Sequence, residues 1–278
     1  MIKKIKLNNN TEIPSIGLGT WQLNGSECIH AVKQALNLGY RHIDTAEMYL
    51  NESEIGTALK SLSDQIPRDQ LFITSKISPT DLDYYKVLGA CEESLARLET
   101  HYLDLYLIHW PQKNMNLQEV LKAMKQLYDK GKIKAFGVSN FTIHHLKDTL
   151  KIAKELGLPI VTNQVEFHPF LYQKELLDFC NQHDITITAY SPLARGKILD
   201  DPTLNELAQK HKKTPCQICL KWMLQKNIIV IPKASRESHL KENINLNDFQ
   251  LDDEDMERID NITHKERIIN PAFAEFDY

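Results

Sequence analysis

Short runs of apolar and β-branched residues recur along the chain about every 30 residues, and a helical pattern follows each run. The longest run extends from Tyr102 to Ile108 and is typical of a strand that is buried on both faces of a parallel sheet. The predicted carboxyl ends of the eight runs fall near Thr20, Asp44, Lys76, His109, Ser139, Gln164, Tyr190 and Lys233. The pattern therefore predicts eight strand-helix units.

The predicted helices have apolar faces and clear end signals. Between Leu117 and Gly131, apolar residues repeat every three and four positions, and the glycine provides a C-terminal cap. Thr142 and Gly157 are the expected first and last boundaries of the next helix. Thr214 opens a capping box with proline at the first helical position.

Eight strand-helix units in about 250 residues fit a closed (β/α)8 barrel, the TIM barrel, better than an open doubly wound sheet. The glycine fingerprint of the open sheet is also incomplete, because Gln22 stands where the third glycine after Gly17 and Gly19 is required. Residues 2–13 alternate around three asparagines, which predicts a β-hairpin ahead of the barrel. No linker or shift in composition interrupts the chain, so we expect one domain over residues 1–278.

The composition restricts the possible partners. With 25% charged and 42% hydrophobic residues, the chain resembles an ordinary soluble globular protein. A net charge of −4 gives no reason to expect nucleic acid or an anionic membrane as a partner, and no apolar run is long enough to span a bilayer. Five scattered cysteines and the lack of a signal peptide are typical of a cytoplasmic protein with reduced thiols. We expect a monomer.

Four ionisable side chains are predicted at one rim of the barrel, where barrel enzymes place their chemistry. Asp44, Lys76 and His109 end three neighbouring strands, and Tyr49 lies in the loop after the first of them. Each could be structural by itself, as a helix cap, a solvated strand end or a core histidine. Four together argue for a site, because unpaired charges at buried strand ends are costly.

These four residues suggest proton donation to a carbonyl group. A tyrosine ordinarily has a pKa near 10, which is too high for efficient proton transfer at neutral pH. We expect the Lys76 ammonium to lower the pKa of Tyr49, and the Asp44 carboxylate to hold that ammonium in place. His109 could then orient and polarise the carbonyl oxygen as a second hydrogen-bond donor.

Three segments resemble the aldo-keto reductase family. Residues 39–52 (GYRHIDTAEMYLNE) resemble its first signature, and residues 107–111 (LIHWP) resemble the segment that carries its catalytic histidine. Residues 231–233 (IPK), with Glu242 and Asn243, are similar to its cofactor-clamping segment. The resemblance covers essentially the whole chain. Within the family, the compact length is most similar to the bacterial 2,5-diketo-D-gluconate reductases, which are also associated with methylglyoxal and other small aldehydes.

The resemblance implies an NADPH cofactor that lies extended across the rim without a Rossmann fold. It implies hydride transfer to a carbonyl carbon while the tyrosine protonates the oxygen. By motif position, the catalytic residues are Asp44, Tyr49, Lys76 and His109. Ser139, Asn140 and Gln164 match the residues that bind the nicotinamide carboxamide. Tyr190 matches the residue that stacks on the nicotinamide ring, and Ser191 and Leu193 match residues that bind the pyrophosphate.

The adenosine end departs from the family pattern. Ala234 and His239 stand where the family has a serine and an arginine, which leaves Lys233 and Arg236 as candidates for the 2′-phosphate. Two cations still favour a phosphate over a hydroxyl, so we expect NADPH, with NADH as a weaker alternative.

Aromatic side chains are the expected walls of the substrate site. Trp21 and Trp110 follow strand ends and would bind the substrate together with Tyr49 and His109, because such walls exclude water. Residues 271–276 either fold over the rim as part of this wall or form a frayed end. Cys216 and Cys219 form a Cys-x-x-Cys pair, but a metal site of this type needs a second such pair and the sequence has none. We therefore expect no metal.

The sequence thus predicts an NADPH-dependent reductase of aldehydes or ketones such as small aldehydes, keto-sugars or keto-acids. One alternative is a non-catalytic nicotinamide-binding regulatory or structural protein on the same barrel. A protein that had lost its catalytic activity would have no reason to keep all four rim residues. Another alternative is a barrel enzyme that acts on a phosphorylated sugar through a base or a Schiff-base lysine, for which Lys76 is the rival candidate.

Overall fold

An antiparallel hairpin opens the chain in the computed structural model, which describes residues 2–80, 82–113 and 115–276. Its two strands are β1 (Lys4–Lys6) and β2 (Glu12–Pro14). Eight parallel strands follow in one sheet, in sequence order. They are β3 (Leu18–Gly19), β4 (His42–Asp44), β5 (Phe72–Ile77), β6 (Leu105–Ile108), β7 (Phe136–Ser139), β8 (Ile160–Glu166), β9 (Thr186–Tyr190) and β10 (Ile229–Val230).

Hydrogen bonds between the chain at β3 and the chain at β10, including the residues next to each strand, close this sheet. The amide of Gly17 donates to the carbonyl of Val230 (2.9 Å), and the amide of Gly19 donates to the carbonyl of Pro232 (3.2 Å). The first and last strands of the sheet are therefore neighbours, which confirms the predicted (β/α)8 barrel and its N-terminal hairpin.

Helices connect the strands on the outside of the barrel. They are α1 (Gly25–Asn37), α2 (Glu52–Lys60), α3 (Tyr84–Arg97), α4 (Leu117–Asp129), α5 (Ile143–Leu156), α6 (Lys174–Gln182), α7 (Pro202–His211), α8 (Pro215–Gln225), α9 (Glu237–Ile244) and α10 (Asp253–Asp260). Short 3-10 helices cover Glu47–Tyr49, Arg68–Gln70 and Ala194–Asp200. Two helices, α7 and α8, lie between β9 and β10, which explains why the last predicted strand spacing is the longest.

The end signals of the helices are confirmed. Helix α5 begins after a capping box at Thr142 and ends at Gly157, whose φ is 62°. Helix α8 begins after the predicted capping box at Thr214. The predicted strand from Tyr102 is too long, since regular pairing begins at Leu105. Tyr102 instead lies on the surface side, with the Arg68 guanidinium 4.0 Å from its ring centroid.

The hairpin closes the amino-terminal end of the barrel. Ile5, Leu7 and Ile13 pack against apolar residues near the starts of the barrel strands, among them Phe72 and Leu105. A second and larger apolar cluster lies between the sheet and the surrounding helices. Because apolar side chains fill the amino-terminal end, the opposite rim is the open end of the barrel. No helix in the described ranges is long and apolar enough to cross a membrane.

Candidate active site

A cavity of about 580 Å³ lies at the carboxyl ends of the barrel strands. The predicted site residues on its wall are Trp21, Asp44, Tyr49, His109, Trp110, Asn140, Gln164, Tyr190, Ser191, Leu193 and Lys233. Their strands are distributed around the whole barrel, so the closed sheet is what brings these side chains together. Lys76 and Ser139 are buried directly behind the wall.

Lys76 lies at the centre of the site and is fully buried. Its ammonium donates to Asp44 Oδ1 (2.6 Å), to the Thr45 carbonyl (2.8 Å) and to the Tyr49 hydroxyl (3.3 Å). These contacts use all three hydrogens of the ammonium group. Because the charge is paired and fully hydrogen-bonded, burial in this position is tolerated.

Tyr49 ends a 3-10 helix, and Leu50 follows in a left-handed conformation with φ of 55°. Buried Asn51 anchors this loop: its amide nitrogen donates to the carbonyls of Thr20 (2.8 Å) and Leu23 (2.9 Å). The hydroxyl of Tyr49 is thereby held beside Lys76 by the loops after β3 and β4.

Burial is the dominant influence on the proton of Tyr49. Desolvation raises the pKa of this phenol above its ordinary value of 10, while the charge of Lys76 lowers it and that of Asp44 raises it. The net shift is upward, so the expected lowering by Lys76 is present but is outweighed. For Lys76 itself, burial lowers the pKa, but Asp44 and Tyr49 raise it above 10.5 overall. Lysine is thus charged and tyrosine protonated at neutral pH.

His109 completes the predicted tetrad. Its ring lies edge-on to that of Tyr49, with the centroids 5.5 Å apart. Burial and the charge of Lys76 hold the pKa of His109 well below 6.5. The imidazole is therefore neutral and carries one N–H. Within the described part of the chain, its Nδ1 atom has no hydrogen-bond partner.

A chain of hydrogen bonds links the remaining polar groups of the wall. The Tyr190 hydroxyl donates to Asn140 Oδ1 (2.7 Å), and Asn140 Nδ2 donates to the His109 carbonyl (3.0 Å) and to Ser139 Oγ (3.1 Å). Asn140 has a φ of 64°, in the left-handed region that asparagine tolerates. Across the barrel, Gln164 Nε2 donates to Asp44 Oδ2 (2.7 Å). The sequence did not indicate this last contact.

Three basic residues lie near the far end of the cavity. Lys233 and His239 line it, whereas Arg236 immediately precedes α9 and is not on the wall. Among the residues that the structure describes, no side chain pairs with any of the three. Glu242 and Asn243 also lie off the wall: Glu242 accepts a hydrogen bond from the Thr214 hydroxyl (2.5 Å), and Asn243 is buried.

The structure adds several wall residues that no sequence motif indicated. Met48, Leu199 and Ile269 contribute apolar surface. Arg195 places its guanidinium 4.5 Å from the ring centroid of Trp21. The signal that could have found some of them is the presence of large apolar side chains in loops after predicted strands.

Residues 271–276 fold over the rim rather than fraying. The rings of Phe273 and Phe276 meet Trp110 edge to face, with centroid distances of 5.4 and 5.8 Å. The predicted wall residue Trp110 is therefore itself covered by Phe273 and Phe276.

A family model confirms what the fold and the tetrad indicate, since the model of the Aldo/keto reductase family matches residues 15–264. The chain belongs to this family. It is 45% identical over 265 residues to the glyoxal reductase of Bacillus subtilis (strain 168), covering 95% of this chain and 94% of that protein. It is 39% identical over 267 residues to the methylglyoxal reductase DkgA of Escherichia coli (strain K12), covering 95% and 94%.

A solved structure has the same fold as this aldo/keto reductase. The enzyme MGS-M4, an aldo-keto reductase from a Medee basin deep-sea metagenome library, superposes with a TM-score of 0.92 at 42% identity, covering 99% of this chain and all of that one (100%). Aldo/keto reductases are oxidoreductases that typically use a nicotinamide cofactor, and the relatives named above are reductases of small carbonyl compounds. The chain is therefore an oxidoreductase of carbonyl compounds.

Proposed function

We propose that this protein is an NADPH-dependent carbonyl reductase in which Tyr49 donates a proton to the carbonyl oxygen. The observation that carries the proposal is the fully buried Lys76 ammonium, which is hydrogen-bonded to both Asp44 and Tyr49. A cation fixed in this position stabilises negative charge on the phenolic oxygen, which develops only as the proton leaves. A structural role alone would not require the tyrosine hydroxyl to face an open cavity.

The residues divide the reaction between them. A reduced nicotinamide, when bound, supplies the hydride that adds to the carbonyl carbon. Tyr49 gives its proton to the oxygen as the C=O double bond becomes a C–O single bond, and Lys76 stabilises the phenolate that remains. The raised pKa of Tyr49 keeps that proton in place at neutral pH. Neutral His109 donates a hydrogen bond to the same oxygen and orients it.

Three features support a nicotinamide dinucleotide in this cavity. Tyr190 presents a half-buried ring on which a flat heterocycle stacks. Asn140 and Gln164 bring amide groups to the wall beside it, with Ser139 behind them, and these three would hold a carboxamide. Residues Ser191 and Leu193 begin the adjacent loop and would contact the pyrophosphate.

The cations at the other end of the cavity favour NADPH over NADH. Lys233 lies on the wall without an ion-pair partner in the described ranges, and Arg236 lies three residues after it. Such groups form stronger, charge-assisted hydrogen bonds to a 2′-phosphate than to a hydroxyl. We assign Glu242 and Asn243 to the adenine end of the same site.

The proposed substrates are small aldehydes, keto-sugars or keto-acids. Trp21, Trp110 and Met48 provide apolar walls that exclude water around the reacting carbonyl. The relatives named as reductases of glyoxal and methylglyoxal support this size class. The likeness to 2,5-diketo-D-gluconate reductases is part of the proposal, as are a monomeric state, one domain over the whole chain and a reduced cytoplasmic setting, which the five free thiols support.

The test is the loss of NADPH absorbance with a panel of glyoxal, methylglyoxal, aromatic aldehydes and keto-sugars. We expect turnover that depends on both the aldehyde and the nicotinamide. NADPH binding without turnover of any member would instead support the non-catalytic alternative. Conversion of a phosphorylated sugar without nicotinamide would support the third possibility.

A further inference from the structure

Glu166 is a fully buried carboxylate at the end of β8 that the mechanism above does not use. It accepts hydrogen bonds from the amides of Ile268 (2.7 Å) and Ile269 (2.8 Å) and from Nε2 of His168 (2.8 Å). Two of its three donors are therefore backbone groups more than one hundred residues away in sequence, in a part of the chain without helix or strand.

These two amides belong to the C-terminal segment, which we define as residues 263–276. The segment has no ladder of backbone hydrogen bonds, so separate contacts hold it on the barrel. Besides Glu166, these contacts include the Glu266 amide with the Phe170 carbonyl (2.8 Å), and His145 Nε2 with Glu275 (3.3 Å). The Arg267 guanidinium also lies 3.8 Å from the ring centroid of Phe276.

The residues next to the Glu166 contact reach the active-site cavity. Ile269, whose amide Glu166 holds, lines the cavity directly. Phe273 and Phe276 follow in the same segment and pack on Trp110, which is also a wall residue. A shift of the chain at Ile268 and Ile269 would thus change two parts of the wall together.

We propose that Glu166 is a positioning residue for substrate binding: it fixes the C-terminal segment so that Ile269 and the rings on Trp110 form one side of the carbonyl site. This inference rests on the proposed function. The hydrogen bonds of the Glu166 carboxylate reach neither the tetrad nor the cationic end of the cavity. Its link to Tyr190 on β9 is a backbone pairing, which a change of side chain leaves in place. The ligand affected is an aldehyde or ketone that is large enough to reach that wall.

The chemistry of the contact explains why a carboxylate is needed. Two adjacent amides and an imidazole N–H converge on one group, and only an ionised carboxylate accepts from all three without offering a hydrogen of its own. Burial raises the pKa of Glu166, but the bonds from His168 and the two amides lower it below its ordinary value overall. A glutamine at this position would turn an N–H₂ group toward at least one of these donors.

The test compares Glu166→Gln with a matched control, Glu52→Gln. Glu52 is also buried, but its partners Ser75 (2.5 Å) and Arg97 (2.8 Å) lie on β5 and α3, outside the C-terminal segment. Hydrogen exchange at the amides of Ile268 and Ile269 is measured first. Loss of charge-assisted hydrogen bonds should speed this exchange by about 10-fold or more in Glu166→Gln, and Glu52→Gln should leave it unchanged.

Kinetics then separate positioning from general damage. In Glu166→Gln we expect the KM for benzaldehyde to rise by about 10-fold, while kcat and the Kd of NADPH stay within about 2-fold. The KM for glyoxal should change less, because a two-carbon substrate makes little contact with the wall. Phe273→Ala, at a half-exposed residue, should raise the KM for benzaldehyde in the wild-type background and much less in the Glu166→Gln background.

The outcomes are distinct. Unchanged exchange at Ile268 and Ile269 would overturn the role of Glu166, whatever the activity. Faster exchange with an unchanged KM for benzaldehyde would overturn the role of the segment in substrate binding. If Glu166→Gln does not fold, Phe273→Ala still tests the C-terminal segment. An unchanged KM for benzaldehyde in Phe273→Ala would overturn the role of the segment in substrate binding. Absence of any turnover in the wild-type protein would contradict the proposed function, whereas the exchange experiment would still test the Glu166 contact.

Discussion

Gln164 and Asp44 are hydrogen-bonded across the barrel, with Gln164 Nε2 lying 2.7 Å from Asp44 Oδ2. Asp44 ends β4 and Gln164 lies two residues before the end of β8, and these strands are not neighbours in the sheet. Since Lys76 occupies the other oxygen of Asp44, the carboxylate has a donor on each side and cannot rotate freely. Asp44 therefore holds the Lys76 ammonium in one place beside Tyr49.

Replacing Gln164 by Met should destabilise the protein, because it removes a donor from a buried carboxylate. We expect the free energy of unfolding to fall by about 1–3 kcal/mol in denaturant titrations. Gln173→Met is the control: Gln173 Nε2 donates to the neutral backbone carbonyl of Glu166 (2.7 Å), so the loss there should be only about 0.5–1.5 kcal/mol. Equal losses at both positions would show that the charge of Asp44 does not matter to this contact.

Tyr49→Phe should abolish most turnover while leaving cofactor binding intact, since it removes only the hydroxyl. General acid catalysis typically contributes about 100- to 10,000-fold, and a loss of that order is expected in kcat for NADPH oxidation with an aldehyde. Tyr85→Phe, at an exposed tyrosine on α3, serves as the control. Retention of more than about a tenth of wild-type turnover with chemistry rate-limiting would rule out Tyr49 as the acid.

Lys76→Met should lower turnover and move the pH profile. Lys76 lowers the pKa of Tyr49, so its removal raises that pKa further. Because reduction requires protonated Tyr49, the fall in rate on the alkaline side should move to higher pH. The maximal rate should nevertheless decrease, since the phenolate left after proton transfer has lost its cation.

A second buried lysine is the control for this experiment. Lys221 donates to the carbonyl of Leu246 (3.0 Å), away from the cavity, and Lys221→Met should leave the pH profile unchanged. An alkaline limb at the same pH in Lys76→Met and the wild type would contradict the assigned role of Lys76.

At the phosphate end of the cavity, Arg236→Ala should weaken the binding of NADPH by about 1–3 kcal/mol and leave the binding of NADH unaffected. Only NADPH has a phosphate with which Arg236 forms a charge-assisted contact. His239→Arg should have the opposite effect, since it adds a permanent cation on the cavity wall. Fluorescence titration with both cofactors measures these changes. Lys241→Ala is the control, because Lys241 already pairs with Glu237 (2.6 Å) on α9. Similar losses for both cofactors would show that Arg236 does not contact the phosphate.

The sequence by itself determined the barrel and the rim on which its chemistry lies. Alternating polar and apolar positions report which side of a strand or helix is buried, and this is a local property of the chain. The end of each run then places its last polar residue at the rim, so Asp44, Lys76 and His109 were predicted together. The capping residues Thr142 and Thr214 were predictable for the same reason, because a cap bonds to residues within one turn.

The tertiary structure decided the contacts that depend on how the barrel closes and on what covers its rim. The bond between Gln164 and Asp44 exists because β4 and β8 face each other across the closed sheet, and no sequence pattern encodes that separation. Similarly, Glu166 meets Ile269 only after the C-terminal segment has folded back over β8. The tertiary structure also decides the net pKa shift of Tyr49, because desolvation depends on every atom packed around the phenol. The sequence indicated only its charged neighbour, Lys76.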